Sequence, residues 1–140
     1  MKIAVYQSTV AATISIRDAI ANVGTQLEWC DANGADMLCC PEGMLGGLAD
    51  YSRSPGSIAL SVADGELEQL ITPLARHSAA CIVGFTERAD TGELYNAAAV
   101  VKEGSLLGVY RKVHPAINPR FTQQETRCPS FVLVPCVSES

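Results

Sequence analysis

Two ionisable side chains, Glu42 and Lys112, stand where strands should end. The first closes Ala35-Asp36-Met37-Leu38-Cys39-Cys40-Pro41-Glu42-Gly43, a short apolar run that meets a proline and then a carboxylate. Such a run reads as a strand buried on both faces. Pro41 has no N–H for a ladder, so the strand ends there. Glu42 is thereby delivered just past a C-terminal strand end, where open α/β sheets keep their ligand crevices. One-sided desolvation raises a carboxylate's pKa and suits it to proton transfer. Taken alone, the stretch also fits a solvated loop glutamate. Lys112 lies in Gly108-Val109-Tyr110-Arg111-Lys112-Val113-His114-Pro115, at the end of another predicted strand. A glutamate and a lysine thus each close a strand in what reads as one sheet system. The plainer alternative is a lysine whose stem lies along apolar surface with its ammonium in water.

The elements that must hold this pair follow from residue pattern. Residues 2–7 form a short apolar strand and residues 8–13 a connecting loop. After Ser15, the residues Ile16, Ile20, Val23, Leu27 and Cys30 recur at three- and four-residue steps. That spacing predicts an amphipathic helix, with Ser15 or Thr13 as its cap and Asn33-Gly34 as its stop. Trp29 lies beside the apolar stripe and is expected to pack. The run ending in Glu42 comes next, so residues 2–42 make a strand–helix–strand unit with parallel strands. Residues 44–61 are rich in Gly, Ser and Pro without periodicity, a long loop that either walls the Glu42 crevice or is a plain surface excursion.

Asp64 opens a second helical stretch with Leu67, Leu70, Ile71 and Leu74 as its apolar face. Pro73 should kink or restart it, with Thr72 as a new cap. Residues 79–86 read as a strand. Residues 94–101 and 106–111 read as two more, joined by Lys102-Glu103-Gly104-Ser105 into an antiparallel hairpin. This order predicts a layered α/β sheet. Beyond His114, prolines 115, 119, 129 and 135 divide the chain into short pieces, of which only residues 131–134 are strand-like.

Residues 37–43 and 95–115 together resemble the nitrilase superfamily of carbon–nitrogen hydrolases. In that family a strand ending in Pro-Glu carries the general base. A Tyr-Asn-(small)-Ala … Gly … Tyr-Arg-Lys-x-His passage carries the catalytic lysine. Here it reads Tyr95-Asn96-Ala97-Ala98, Gly104 and Tyr110-Arg111-Lys112-Val113-His114, and the opening Met1-Lys2-Ile3-Ala4-Val5-Tyr6-Gln7 is similar to the family's first strand. The resemblance covers residues 1–115 and implies an α/β fold that is half of a nitrilase-type α-β-β-α sandwich, a mixed sheet with helices on one face. Residues 116–140 are then a divergent, loosely ordered tail.

The resemblance also implies a Glu-Lys-Cys triad that cleaves a non-peptide carbon–nitrogen bond of a small amide, nitrile or carbamoyl compound. Glu42 would take the thiol proton and later activate water, and Lys112 would stabilise the tetrahedral intermediate while its charge lowers the Glu42 pKa, offsetting desolvation. Family members carry the cysteine well downstream of the lysine, in an Ile-Cys-x-Asp-like sequence. Cys136 instead follows Phe131-Val132-Leu133-Val134-Pro135, which is similar to the preceding strand, and Cys128 stands next to Pro129. Glu125 is the nearest counterpart of a second family glutamate, in unmatched surroundings. The expectation is a chain truncated before its nucleophile and inactive as it stands. Half a sandwich leaves one apolar sheet face uncovered, which predicts self-association into a homo-oligomer. A second reading is a non-catalytic binding or assembly module on the same fold. A flavodoxin-like phosphate-binding domain is discounted, because residues 7–13 contain no glycine.

Composition agrees with a globular domain: 140 residues, 48% hydrophobic and 18% charged. A net charge of −5 argues against nucleic acid or an anionic membrane as partner. No apolar run approaches the ~18 residues of a membrane span. Six cysteines and two histidines show no zinc-site spacing, so no metal or cofactor is expected. The cysteines read as free thiols of a cytoplasmic protein.

Overall fold

In the computed structural model, which describes residues 1–8, 15–49 and 52–113, the periodic stretch after Ser15 becomes helix α1, Ile16–Asn33. The Ser15 side-chain oxygen accepts the Asp18 N–H at 3.1 Å, satisfying one free donor of the first turn. Gly34 closes the helix at φ 64°, a left-handed geometry that costs glycine little. Thr13, Cys128, Cys136, Glu125 and the tail over residues 116–140 lie outside the described residues.

Helix α2 spans Glu66–Ile71 and buries Leu67 and Ile71. It starts two residues later than Asp64. Pro73 restarts the helix in a tighter form: α2 ends at Ile71, and a 3-10 helix over Thr72–Arg76 begins there with Ile71, not Thr72, as its cap. Thr72 donates its hydroxyl back to the Glu68 carbonyl at 2.9 Å, so it closes α2 and caps nothing beyond it. Proline near the start of a helical turn lacks only an N–H that needs no partner there.

The strands are β1 (Ile3–Val5), β2 (Met37–Cys39), β3 (Ala59–Leu60), β4 (Ala80–Arg88), β5 (Leu94–Lys102) and β6 (Ser105–Arg111). They form one sheet in the order β1-β2-β4-β5-β6, with β3 also on β4. β1, β2 and β3 run parallel to their neighbours, and β4, β5 and β6 pair antiparallel. The sheet is therefore mixed. β3 falls inside the stretch read above as loop. Two residues are too few to show alternation, and they become a strand because the edge of β4 at Thr86 and Glu87 is open to them.

Both helices lie on one face. Leu38, Cys81, Val83, Phe85, Ala97, Ala99 and Val101 meet the buried stripes of α1 and α2 in a single core. By the two-residue period of strands, Ile3, Val5, Cys39, Ile82, Val100 and Tyr110 point the other way. On that face Val5 is 80% exposed and Ile3 52%. The strand before Glu42 is thus not buried on both faces: Leu38 is buried, while Met37 and Cys39 are half-buried. Among the described residues, no element packs on this open face. Trp29, expected to pack, is 57% exposed beside a hollow of about 200 Å³ next to β1. None of the described helices is long and apolar enough to cross a membrane.

The end of α1 is latched to the start of β4 through Asp31. Its Oδ1 accepts the Ser78 hydroxyl at 2.7 Å, the Ser78 N–H at 3.2 Å and the Ala79 N–H at 3.0 Å. Its Oδ2 lies 3.1 Å from Nδ1 of buried His77. Arg76 Nε donates to His77 Nε2 at 3.1 Å, so the neutral ring carries its proton on Nδ1 and gives it to Asp31. Burial alone would raise the Asp31 pKa, but these hydrogen bonds outweigh it and hold the carboxyl below its usual range. We predict that Asp31→Ala lowers stability by about 1–3 kcal/mol at neutral pH, because buried donors lose their acceptor. A group with a depressed folded pKa stabilises above its unfolded value and loses that effect as pH falls through the folded one. The gap between wild type and variant in denaturant unfolding should therefore narrow in acid.

Candidate functional site

The sequence places Glu42 on the open face through a short detour. Cys40 still donates its N–H to the Ile82 carbonyl at 2.9 Å, and Leu45 rejoins β4 by donating to the Gly84 carbonyl at 3.0 Å. Between them, residues 41–44 leave the ladder and pass directly over Gly84. A Cβ at Gly84 would stand 2.7 Å from the Gly43 nitrogen and 2.9 Å from the Pro41 carbonyl oxygen. Only a residue without a side chain lets the backbone cross there. Gly43 completes the bend at φ 64°, and its N-terminal neighbour Glu42 then projects across the sheet.

Lys112 follows β6 and stays in register, its N–H bonding to the Asn96 carbonyl at 2.8 Å. Strand alternation separates the Tyr-Asn … Tyr-Arg-Lys passage into two layers. On the helix side, Arg111 forks onto Glu87 with both contacts at 2.7 Å and lies 4.3 Å over the Tyr95 ring. The Glu87 side chain is 7% exposed, so this bidentate pair anchors the end of β6 from within. On the open side, Asn96, Tyr110 and Lys112 face Glu42.

The two residues singled out from sequence come together. Lys112 Nζ lies 2.6 Å from Glu42 Oε1, and the Asn96 side-chain amide donates to the same oxygen at 2.6 Å. They border a hollow of about 330 Å³ whose floor is Ile82, Gly84, Ala98 and Tyr110. The lowering expected from the lysine's charge prevails over the rise expected from desolvation. Hydrogen bonds from Lys112 and then Asn96 outweigh partial desolvation and hold the carboxyl below its usual range. The side chain is 47% exposed, so desolvation is too weak to prevail. The contact made by Asn96 went unread in the sequence, although its period-two relation to Lys112 across the hairpin was available there.

Cys40 also lines the hollow, but it packs against the core and burial pushes its thiol up to about 12. Burial likewise raises Cys81 to about 11. Neither is poised as a thiolate nucleophile. The four described cysteines are free. No cluster of three or more metal-ligating side chains occurs among the described residues.

Residues 2–137 match the family description "Carbon-nitrogen hydrolase". The chain belongs to that family. An arylacetonitrilase of Macrophomina phaseolina is 32% identical over 94 residues, which is 59% of this chain and 27% of that protein. Among solved structures, a carbon-nitrogen hydrolase from Helicobacter pylori G27 superposes with a TM-score of 0.60 at 24% identity, covering 80% of this chain and 39% of that one. An amidase of the nitrilase superfamily from Nesterenkonia AN1 gives 0.62 at 20% identity, covering 84% and 45%. At these identities the structural likeness speaks to the fold, a mixed α/β sheet with two helices. The chain spans about a quarter of the arylacetonitrilase's length and less than half of either solved chain.

Two outcomes test the site's construction. Lys112→Met should raise the Glu42 pKa, because the largest cause of its depression is removed; a carboxyl-carbon NMR titration reads this directly. Gly84→Ala should destabilise the fold by about 1–3 kcal/mol, the usual cost of overpacking, and should also weaken the Glu42 contacts. An unchanged unfolding midpoint for Gly84→Ala would contradict the close crossing.

Proposed function

We propose that these residues form the N-terminal half of a hydrolase that cleaves a non-peptide carbon–nitrogen bond of a small amide, nitrile or carbamoyl compound. The observation that carries this reading is the 2.6 Å contact between Glu42 and Lys112 at the rim of a hollow on the open sheet face. Glu42 is the general base and Lys112 the cation for the tetrahedral intermediate. The nucleophile is a further cysteine, none of the six in residues 1–140, in the order Glu, Lys, Cys.

The chemistry follows from the charges. Paired with Lys112, Glu42 is ionised at neutral pH and ready to accept a proton. It takes the thiol proton as sulfur bonds to the substrate carbon. Lys112 then turns toward the developing negative charge. Losing that donor raises the proton affinity of Glu42 at the moment it must hold the proton. The proton passes to the departing nitrogen when an amide is cleaved, and Glu42 next activates water against the thioester. A hydrogen-bonded pair that trades partners in this way couples the two halves of the reaction.

The open apolar face fits the same reading, since a second β layer would cover it and complete the sandwich. It also favours a second reading, a non-catalytic module that binds or assembles through that face, with another copy of the chain as partner. The free cysteines suit a reducing compartment, and the cytoplasm is the proposed location.

The two readings part on the nucleophile. Sequencing past the codon for Ser140, and in shifted frames beyond Pro119, should reveal an Ile-Cys-x-Asp-like strand if the hydrolase reading holds. A chain bearing that cysteine should release ammonia or amine from small amides or nitriles. Glu42→Gln and Lys112→Met should each cut that rate by about 100-fold or more. Residues 1–140 alone should not be labelled stoichiometrically by a thiol-directed nitrile or amide mimic. Clean labelling at Cys136 would overturn this placement of the nucleophile.

A further inference from the structure

Glu42 receives two donors on one oxygen. Lys112 Nζ and Asn96 Nδ2 each lie 2.6 Å from Oε1, and no donor among the described residues reaches Oε2. The amide orientation of Asn96 is fixed by chemistry, because a carboxylate only accepts and must face the NH₂ side. Asn96 has a second grip: its backbone carbonyl receives the Lys112 N–H at 2.8 Å. One residue thus ties down both charged groups, Glu42 through its side chain and Lys112 through its main chain.

The placement has a structural cause. Asn96 stands opposite Thr86 on β4, in the strand position that faces the open side, and the short detour over Gly84 brings Glu42 to it. With side-chain exposures of 36% for Lys112 and 47% for Glu42, the ion pair alone would be a loose surface contact of little energy. A planar amide on the same oxygen restricts the carboxylate to one orientation.

The geometry assigns Asn96 as a positioning residue that pins Glu42 Oε1 and leaves Oε2 as the oxygen that takes the proton. The proton-transfer part rests on the hydrolase reading above, whereas the contact itself does not. Aspartate at position 96 would set a second carboxylate against the first, so that the pair would share a proton and one member would titrate upward. Alanine would leave Lys112 as the sole donor.

The test is an NMR pH titration of the isotope-labelled chain, following the Glu42 carboxyl carbon and the Asn96 side-chain amide. In the wild type the Asn96 amide should titrate in step with Glu42. The Glu42 pKa should rise in Asn96→Ala, because a hydrogen bond to the charged form is lost, and a carboxyl should titrate higher still in Asn96→Asp. Asn96→Asp is nearly isosteric and gives the same readout should the alanine variant not fold. Lys112→Met is the control. If Glu42 shifts in Lys112→Met but in neither Asn96 variant, the assignment of Asn96 is overturned while the Glu42–Lys112 reading stands. If none of the three moves it, both are overturned.

Discussion

The site depends on a backbone crossing that tolerates no side chain. Where residues 41–44 pass over β4, the space above Gly84 is filled by main-chain atoms of Pro41, Glu42 and Gly43. That crossing brings Glu42 onto the open face of the sheet. Without it, β2 would continue beside β4, and alternation from Leu38 and Cys40 would turn Glu42 toward the helix face. The remaining features serve the same end. β5 and β6 bring Asn96 and Lys112 to the opposite rim, and the fork of Arg111 onto buried Glu87 on the other face keeps the tip of β6 in register.

Division of labour between the faces explains how few residues form the site. The helix side carries the core, with α1 and α2 over Leu38, Val83, Phe85 and Ala99, and it supplies the rigidity. The other side carries the cluster of Glu42, Asn96 and Lys112 on half-exposed strands. Alternation along β5 and β6 lets neighbours do different work: Tyr95 and Arg111 hold the scaffold, while Asn96 and Lys112 face the hollow. Burial on one side and a polar cluster on the other is the pattern expected where a second layer is to pack.

Much of this was legible from the sequence because local chemistry decided it. Ser15 and Gly34 bound α1 as capping rules require, Glu103-Gly104 turns the hairpin, and Pro41 ends β2 ahead of Glu42. The illegible parts were set by tertiary context. β3 exists only because the edge of β4 accepts it, and the 3-10 helix at Pro73 is capped by Ile71 where Thr72 was expected. Exposure was misjudged as well. Met37 and Cys39 read as interior residues, but the layer opposite the helices is missing among the described residues. The lowering of the Glu42 pKa by Lys112 was legible, whereas the share that Asn96 adds was not. Asn96 is legible only as part of the Tyr-Asn passage, because its partner is set by the backbone path over Gly84.

The most direct measurement of the central claim is a set of side-chain nuclear Overhauser contacts in the labelled chain. Cross-peaks from the Glu42 γ protons to the Asn96 amide protons and to the Lys112 ε protons are predicted. Their absence, with the Asn96–Lys112 backbone contacts of the hairpin intact, would contradict the meeting of the three side chains on one face.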